Sequence, residues 1–355
     1  MNTTLNTVRL PEQLGLRREP SANEALSKNE LEKFDALTLF YDVFLDQAGK
    51  RLVAIGPPAN NLADYVAAAK LTIDGRAQRF KFRDLPDYKL SILEANVAVG
   101  THCLVEFSFA DFKATFQLNR NQEARGRRIL AAISKDNAPE WVATWADFHR
   151  HNYDIDEVIV YDNGSNNIDE LRHTLRGKAQ IIEWKFPYGP PGRRFNKFAQ
   201  PGALNHCLRK FCKDGTLFNF DIDELLIADK KKLFGEINRN GTLYLDSYYV
   251  PKTQPLKHHY THYDFKFREP NKVNKARKFV CLENSVDIIS QHNTWKKNPI
   301  LNYRRTKPEK LESRHAYFLH FLAITTNWEP SLGKLNMASE SRLQMDISHI
   351  EKKPI

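Results

Sequence analysis

The second half of the chain alternates strand and helix patterns from residue 129 onward. Short apolar runs rich in β-forming residues occur at Ile129–Ile133, Glu157–Tyr161, Gln180–Trp184 and Thr216–Ile227. Apolar residues recur at helical spacing in the segments between them, at Ala138–His149, Ile168–Leu175 and Gln200–Cys212. Strands that alternate with helices of this length predict an α/β fold, a Rossmann-like and mostly parallel sheet with helices on both faces.

The last of these strands carries three carboxylates, Asp221, Asp223 and Glu224, between two apolar runs. In a continuous strand, Asp221 and Asp223 would share one face and Glu224 would lie on the other. Two neighbouring carboxylates repel each other unless a cation or a base lies between them. Because open α/β sheets bind ligands at the carboxyl ends of their strands, we interpret this stretch as a ligand site. A polar strand end with exposed acids is the alternative.

Two other loops fall at strand ends, Ser134–Asn137 and Asp162–Ser165. Loops on that edge of a parallel sheet surround one crevice, which would present Lys135 and Asp162 beside the acidic residues. Each has a structural alternative, because Asp-Asn-Gly-Ser is a good turn sequence and a lone lysine is usually solvated. Taken together and in this order, they favour a binding site.

The first part of the chain has a different texture. Residues 1–34 are polar, with little periodicity, and we predict a flexible arm. Residues 35–125 contain short β-rich runs separated by turn signals, which predict an all-β, sandwich-like accessory domain. Its role would be structural, or carbohydrate or partner binding. The α/β domain would then occupy residues 126–340 and a tail residues 341–355.

Charge and cysteine usage bound the function further. Residues 1–125 hold 16 basic and 16 acidic residues, so the whole formal net charge of +10 lies in the remainder. A basic half of this kind suits phosphorylated small molecules or acidic lipid headgroups. The sequence contains no regular stripe of basic residues interleaved with aromatic ones, the pattern that would predict nucleic-acid binding. Four scattered cysteines and the lack of a long apolar run predict a cytoplasmic protein, at most peripheral at the inner face of the cytoplasmic membrane.

The order of these motifs resembles nucleotide-sugar glycosyltransferases of the GT-A type, closest to the bacterial family-2-like and family-92-like enzymes. The resemblance covers about residues 127–335. It is carried by Lys135-Asp136-Asn137, Val158–Ser165, Gln200, Leu204–Cys207, Phe220–Glu224, Lys278-Phe279-Val280, His292, His320-Phe321, Trp328 and Lys334.

The resemblance implies roles for particular residues. Asp221 and Asp223 would hold Mn²⁺ or Mg²⁺, with Asp221 nearer the ribose and His320 as a third ligand. Asp162 would contact the base or ribose, Lys278 would offset diphosphate charge, and His292 would contact acceptor or phosphate. The remaining candidates for donor binding are Lys135, Gln200 and Asn205.

The implied reaction moves a hexose from a nucleoside-diphosphate sugar to a glycan or lipid-linked acceptor in bacterial surface polysaccharide synthesis. A UDP-sugar is the first candidate for the donor. Inverting transfer, which the resemblance implies, needs a base for the acceptor hydroxyl. Asp246 is the first candidate and Glu224 the second. Two other functions use the same features: a non-catalytic carbohydrate- or nucleic-acid-binding protein, and a nucleotidyl- or phosphotransferase with the same acidic pair.

Overall fold

The computed structural model describes residues 4–21, 25–46, 49–98, 102–119, 125–193, 196–256, 258–298, 302–324 and 345–347. Trp328, Lys334 and most of the predicted tail 341–355 lie outside these residues. Within them, no helix is both long and apolar enough to cross a membrane.

The described residues of the first part of the chain form ten strands and two short helices. Their bounds are β1 Val8–Arg9, α1 Lys28–Leu31, β2 Thr38–Phe40, β3 Asp42–Leu45, β4 Arg51–Gly56, α2 Ala63–Ala67, β5 Lys70–Ile73, β6 Arg76–Gln78, β7 Phe80–Leu85, β8 Leu90–Asn96, β9 His102–Phe109 and β10 Phe112–Asn119. They form two antiparallel sheets of four strands, in the orders β3-β4-β8-β7 and β10-β9-β5-β6.

One apolar core lies between these two sheets. Leu52 of β4 and Leu93 of β8 share it with Val105 of β9. Val66 of helix α2 also packs there, so the core is not built from strands alone. The prediction of short β-rich runs describes most of this part of the chain, but α2 is a helix within a segment that we predicted to be all-β.

The predicted flexible arm is wrong for residues 4–21. Strand β1 pairs with β2, and Val8 and Leu10 lie in the core between the two sheets. The Arg18 guanidinium is fully buried and donates to the backbone carbonyls of Pro58, Asp35 and Thr38. The polar sequence does not indicate these contacts, because the backbone carbonyls that satisfy the buried Arg18 charge lie far from it in the sequence.

In the second part, the residues that the structure describes form the other thirteen strands and four helices. Their bounds are β11 Arg128–Ser134, α3 Pro139–Tyr153, β12 Glu157–Asp162, α4 Ile168–Thr174, β13 Gln180–Glu183, α5 Ala199–Lys210, β14 Thr216–Asn219, β15 Glu224–Ala228, α6 Lys230–Asn240, β16 Thr242–Val250, β17 Phe267–Arg268, β18 Lys272–Leu282, β19 Ile288–Ile289, β20 Thr294–Asn298, β21 Asn302–Arg305, β22 Ala316–Phe321 and β23 Met345–Asp346.

Eight of these strands form one mixed sheet, in the order β13-β12-β11-β14-β18-β16-β22-β15. Strands β13, β12, β11 and β14 are parallel, as predicted, but β18 joins β14 antiparallel. Helices α3, α4 and α6 pack on one face and α5 on the other. The α/β fold with helices on both faces is confirmed, while the sheet is mixed instead of mostly parallel.

Strands β3 and β4 of the sheet β3-β4-β8-β7 are buried on both faces. Val43 and Leu52 face the core between the two N-terminal sheets, whereas Phe44 and Val53 pack with Ile288 of the second part. This continuous burial explains why β3 and β4 lack the alternation of polar and apolar residues that a half-exposed strand shows. The two parts of the chain therefore share an apolar interface.

A buried ion pair crosses this interface. Asp42 of β3 accepts from His206 Nε2 at 2.9 Å and from Lys210 Nζ at 2.7 Å, both on α5. His206 Nδ1 lies 2.8 Å from the hydroxyl of Tyr161 on β12. Burial alone would raise the pKa of Asp42, but Lys210 and His206 outweigh it and hold that pKa below its usual value.

We predict that Asp42→Asn destabilises the protein by about 3 kcal/mol, because it leaves the buried His206 ring and the largely buried Lys210 ammonium group without their carboxylate. The free energy of unfolding, measured by urea denaturation, checks this. Asp214→Asn is the control. Asp214 forms an exposed pair with Arg125, and its left-handed backbone (φ 56°) suits asparagine. The control should lose at most about 1 kcal/mol, and equal losses in the two variants would contradict a special role for Asp42.

Candidate functional site

The acidic stretch forms a turn. Strand β14 ends at Asn219 and β15 begins at Glu224, and the Glu224 amide donates to the Asp221 carbonyl at 3.0 Å. The predicted continuous strand Thr216–Ile227 is therefore wrong, and the side-chain alternation argued from it fails. The turn places Glu224 together with the other two carboxylates.

The three carboxylates form one cluster. Asp221, Asp223 and Glu224 each offer an oxygen within 4.8 Å of the other two. Glu224 Oε2 also accepts from the Asp221 amide at 2.8 Å, which fixes the glutamate inside the turn. Oxygen-rich groups at this spacing suit a hard divalent cation.

A buried lysine balances part of this charge. Lys278, on β18 and fully buried, places Nζ 2.5 Å from Asp221 Oδ2 and 3.3 Å from Glu224 Oε2. The resemblance implied that Lys278 offsets diphosphate charge. The structure pairs it with the protein carboxylates Asp221 and Glu224.

The pKa values in the cluster follow from burial and this pairing. Burial disfavours the charged form of Asp221, but Lys278 outweighs burial and lowers the pKa of that carboxyl. Burial raises the pKa of Glu224 to about 8, against the attraction of Lys278, with Asp221 and Asp223 adding repulsion. Burial disfavours the charged Lys278 as well, yet its carboxylate neighbours raise its pKa. Lys278 thus favours the ionised form of Asp221 at the centre of the cluster.

Two glutamines complete the surroundings of Asp221. Gln200, at the start of α5, donates to Asp221 Oδ1 at 3.4 Å and accepts from the Tyr188 hydroxyl at 2.9 Å. Gln291 donates to Asp221 Oδ2 at 3.2 Å. Gln200 was predicted at the site, whereas Gln291 and Tyr188 were not. Only their positions in the sequence could have indicated a role at the site: Gln291 directly precedes the predicted residue His292, and Tyr188 precedes the loop that leads to α5.

Asp223 lies against the predicted third metal ligand. His320 Nε2 is 3.0 Å from Asp223 Oδ2, and both side chains are partly exposed. Strand register explains the contact, because Glu224 of β15 pairs directly with His320 of β22. The structure therefore brings Asp221, Asp223, Glu224 and His320 together, as a metal site would require.

Two buried histidines hold the segment that carries the cluster. His262 Nε2 donates to the carbonyl of Ile222 inside the turn, at 2.8 Å. His149 of α3 donates from Nδ1 to the Trp145 carbonyl at 2.8 Å and accepts from the Leu226 amide through Nε2 at 3.3 Å. Burial lowers the pKa of His262 to about 4 and that of His149 to about 3, so both rings are neutral at pH 7.

The two other loops lie at the same edge of the sheet. Ser134 pairs with Asp162 across β11 and β12, and the Asp136 amide donates to Ser165 at 2.8 Å. Lys135 is half-buried in the first loop. Asp162 Oδ2 accepts from the amides of Gly164 and Ser165, as the turn alternative anticipated. Its Oδ1 is buried and lacks a hydrogen-bond partner among the described residues.

Asn205, Asp246 and His292 were also predicted at the site, and each makes contacts with protein groups outside the carboxylate cluster. Asn205 donates to the carbonyls of Pro201 and Ile289 and accepts from the Ile289 amide, so its amide group joins α5 to β19. Asp246 faces two cations, with Arg277 Nε at 2.5 Å and Lys272 Nζ at 3.1 Å.

His292 Nδ1 donates to the Arg277 carbonyl at 3.0 Å. Burial, reinforced by Lys278, lowers the pKa of His292 to about 4. This ring is therefore neutral, with Nε2 available as an acceptor.

An acidic turn at the carboxyl edge of a mixed α/β sheet, opposite a histidine on an antiparallel strand, is the arrangement that the resemblance to GT-A glycosyltransferases implied. The family comparison confirms that class: residues 136–354 match glycosyltransferase family 92, and the chain belongs to this family.

Comparison with solved structures gives weak similarities. S. aureus TarS 1-349 matches with 13% identity and a TM-score of 0.30 over 55% of this chain and 60% of that one. The bifunctional IspDF of Campylobacter jejuni matches with 13% identity and a TM-score of 0.25 over 45% and 42%.

Glucosyl-3-phosphoglycerate synthase of Mycobacterium tuberculosis, solved with Mn²⁺, UDP and glucosyl-3-phosphoglycerate, matches with 20% identity and a TM-score of 0.23 over 35% and 44%. The chain thus spans less than two thirds of each of these structures. No curated protein sequence matches it.

We predict that His149 makes stability fall in acid. Its pKa is about 3 when folded and about 6.5 when unfolded, so below pH 6.5 the unfolded chain binds a proton that the native state does not. Stability is then lost by about 1.4 kcal/mol per pH unit as the pH falls from 6.5 toward 3.

Urea denaturation of His149→Gln between pH 4.5 and 7 should show a slope smaller by this amount. The control His173→Gln changes an exposed histidine on α4 and should keep the native slope. Parallel stability curves for the native protein and His149→Gln would contradict the prediction.

Proposed function

We propose that the chain is a divalent-metal-dependent glycosyltransferase that uses a nucleoside-diphosphate sugar. The observation that carries the proposal is the turn with Asp221, Asp223 and Glu224, adjoined by His320 and balanced by Lys278. With one buried lysine against three carboxylates, the cluster keeps an excess of acceptor oxygens for a further cation. Family membership supports glycosyl transfer as the reaction.

The residues fit Mn²⁺ or Mg²⁺. Asp223 and His320 would hold the ion, with Asp221 as a second carboxylate, and carboxylates with one imidazole suit Mn²⁺ in particular. When bound, such an ion neutralises the charge that develops on a diphosphate leaving group. Lys278 keeps Asp221 ionised and oriented, and Gln200 and Gln291 hold its oxygens in place.

The donor nucleotide would lie against the loops Ser134–Asn137 and Asp162–Ser165. The partnerless Oδ1 of Asp162 supports a hydrogen bond to a base or ribose, because a buried carboxylate oxygen without a partner is unfavourable. Lys135, half-buried at the same edge, would meet the phosphates. We propose a UDP-sugar as the donor and a hexosyl group as the part transferred.

For the base, the geometry favours Glu224 over Asp246. Both oxygens of Asp246 are occupied, Oδ1 by Arg277 and Oδ2 by Lys272, and the side chain is almost completely buried. Glu224 belongs to the carboxylate cluster that we assign to the metal and the diphosphate, whereas Asp246 lies outside that cluster. Asp246 would instead position Arg277.

The biological setting that we propose is inverting transfer to a glycan or lipid-linked saccharide of the bacterial surface. The reaction would take place in the cytoplasm or, through peripheral contact, at the inner face of the cytoplasmic membrane. All four cysteines are free and buried, which supports a reducing compartment.

We predict that Asp223→Asn abolishes metal-dependent donor binding. In the native protein, UDP with Mn²⁺ should raise the thermal midpoint, and UDP-glucose or UDP-galactose should be hydrolysed slowly to UDP. In Asp223→Asn the shift should vanish and hydrolysis should fall by about 100-fold or more.

The matched control is Asp229→Asn, five residues beyond the cluster residue Glu224. Asp229 caps α6 by accepting from Lys232, and asparagine caps equally well. A native protein that shows no Mn²⁺-dependent shift with UDP, GDP or dTDP would contradict the proposed function.

The choice of base gives a separate prediction. Glu224→Gln should lower donor hydrolysis by about 10²- to 10⁴-fold while UDP with Mn²⁺ still raises the thermal midpoint. Asp246→Asn should stay within a few-fold of the native rate. The opposite ranking of the two rates would assign the base to Asp246.

A further inference from the structure

A cavity of about 590 Å³ lies between the N-terminal sheets and the family 92 part of the chain. Its volume falls in the range of roughly 300–1,000 Å³ that small-molecule sites occupy. One wall is the turn Asp87–Lys89 between β7 and β8, and the others include Gln200, Gln291, Trp295 and Arg305. The family match begins at residue 136, so the Asp87–Lys89 wall lies outside the matched part of the chain.

The cavity adjoins the carboxylate cluster. Gln200 and Gln291 line it, and both donate to Asp221. Among the described residues that line it, none belongs to the loops Ser134–Asn137 or Asp162–Ser165. The cavity therefore meets the cluster away from the edge that we assign to the donor nucleotide.

Aromatic rings form part of the wall. Tyr88 contacts Trp295 edge to face, with ring centroids 5.1 Å apart, and contacts Tyr303 in the same way at 5.3 Å. Tyr188 lines the cavity near Gln200. Aromatic side chains with polar tips offer a saccharide both an apolar surface for its ring carbons and hydrogen bonds for its hydroxyls.

Cations outnumber anions along the wall. Lys89, Lys197, Arg277 and Arg305 line the cavity, against Asp87 and Glu309. Arg277 is balanced by Asp246 and Glu312, which lie outside the lining. The excess of cations favours a ligand that carries a negative group.

Lys89 has a left-handed backbone, with φ 63°. A lysine in this conformation is unfavourable, and glycine or asparagine would fit the turn with less strain. Residues with unfavourable backbone conformations persist where the surrounding structure holds them in place, and they are common at functional sites. The turn thus holds a charged side chain in the cavity wall at a cost in backbone energy.

We propose that this cavity binds the acceptor, a saccharide that carries a carboxylate or phosphate group, and that the Asp87–Lys89 turn recognises it. The inference rests on the proposed function, because it assigns the acceptor side of the same reaction. The acceptor hydroxyl would lie toward Gln200 and Gln291, next to the carboxylate cluster, while Lys89 and Arg305 hold the anionic group.

The test measures binding of three probes by isothermal titration calorimetry, without donor or metal. Trigalacturonate carries carboxylates, glucose 6-phosphate carries a phosphate, and maltotriose is neutral. We expect at least one anionic probe to bind the native protein about tenfold more tightly than maltotriose. Preference for one anionic probe over the other identifies the anionic group.

The variants Lys89→Asn and Arg305→Ala should each weaken that binding by about tenfold, since each removes one charge-assisted contact. Asparagine is chosen at position 89 because it tolerates the left-handed backbone. The controls are Arg304→Ala, on the same strand β21 but not in the cavity wall, and Lys81→Asn, exposed on β7. Both controls should bind the anionic probe as the native protein does.

Three results would overturn the inference: no binding of either anionic probe, equal or tighter binding of maltotriose, or native affinity in Lys89→Asn and Arg305→Ala. The assay also separates this inference from the proposed function. Asp223→Asn should bind the anionic probe at least as tightly as the native protein does, while it loses the Mn²⁺-dependent UDP shift. Native protein that binds the probe but never UDP would refute the proposed function alone.

Discussion

The ammonium group of Lys278, buried beside Asp221 and Glu224, is the interaction on which the site depends. Two carboxylates removed from water without a cation would cost several kcal/mol or bind protons. The lysine reaches them because β18 runs antiparallel to β14, which pairs Phe279 with Asn219 just before the turn. The loops of the site follow the carboxyl ends of the parallel strands. The antiparallel pairing of β18 with β14 then places the Lys278 ammonium group beside these loops. A wholly parallel sheet would not place this lysine there.

Helix α5 connects the N-terminal sheets to the same cluster. Asp42 binds His206 and Lys210 on this helix, and the ring of Tyr41 lies so close to Gly202 that an added Cβ would approach it to 2.4 Å. The helix begins at Ala199, so these contacts fix the position of Gln200 beside Asp221.

The far side of α5 fixes the second glutamine. Asn205 binds both backbone groups of Ile289, two residues before Gln291. One helix therefore sets both amides that hold the Asp221 carboxylate. The N-terminal sheets, although outside the family match, contribute to the geometry of the site through this helix.

Local patterns predicted the elements that propensity and periodicity govern. Helices α3, α4 and α5 and strands β11, β12 and β13 lie within a few residues of their predicted bounds, because each has a continuous apolar face. The turn at Asp221–Glu224 was missed, since Phe218–Ile227 reads as one strand when tertiary contacts are unknown. His262, which binds the Ile222 carbonyl from 40 residues away, is one such contact.

Site residues were predicted from the sequence when their side-chain type indicates a chemical role. They were missed when their role depends only on where the fold places them. Asp221, Asp223 and His320 could be predicted because carboxylates and imidazole are the expected ligands. Gln291 has no such signature, and its role follows from a hydrogen bond that only the folded chain shows. Asn205 looked equally polar in the sequence, yet the backbone of Pro201 and Ile289 uses its whole amide group.

Charge also separates the two sides of the site. The cluster is acidic, whereas the cavity next to it is lined by more cations than anions, and two neutral amides, Gln200 and Gln291, lie between them. An anionic acceptor would be repelled by the carboxylates and attracted toward Arg305 and Lys89. Its neutral hydroxyl end can approach the amides without this repulsion. The opposed charges thus orient such an acceptor before any contact specific to its sugar is made.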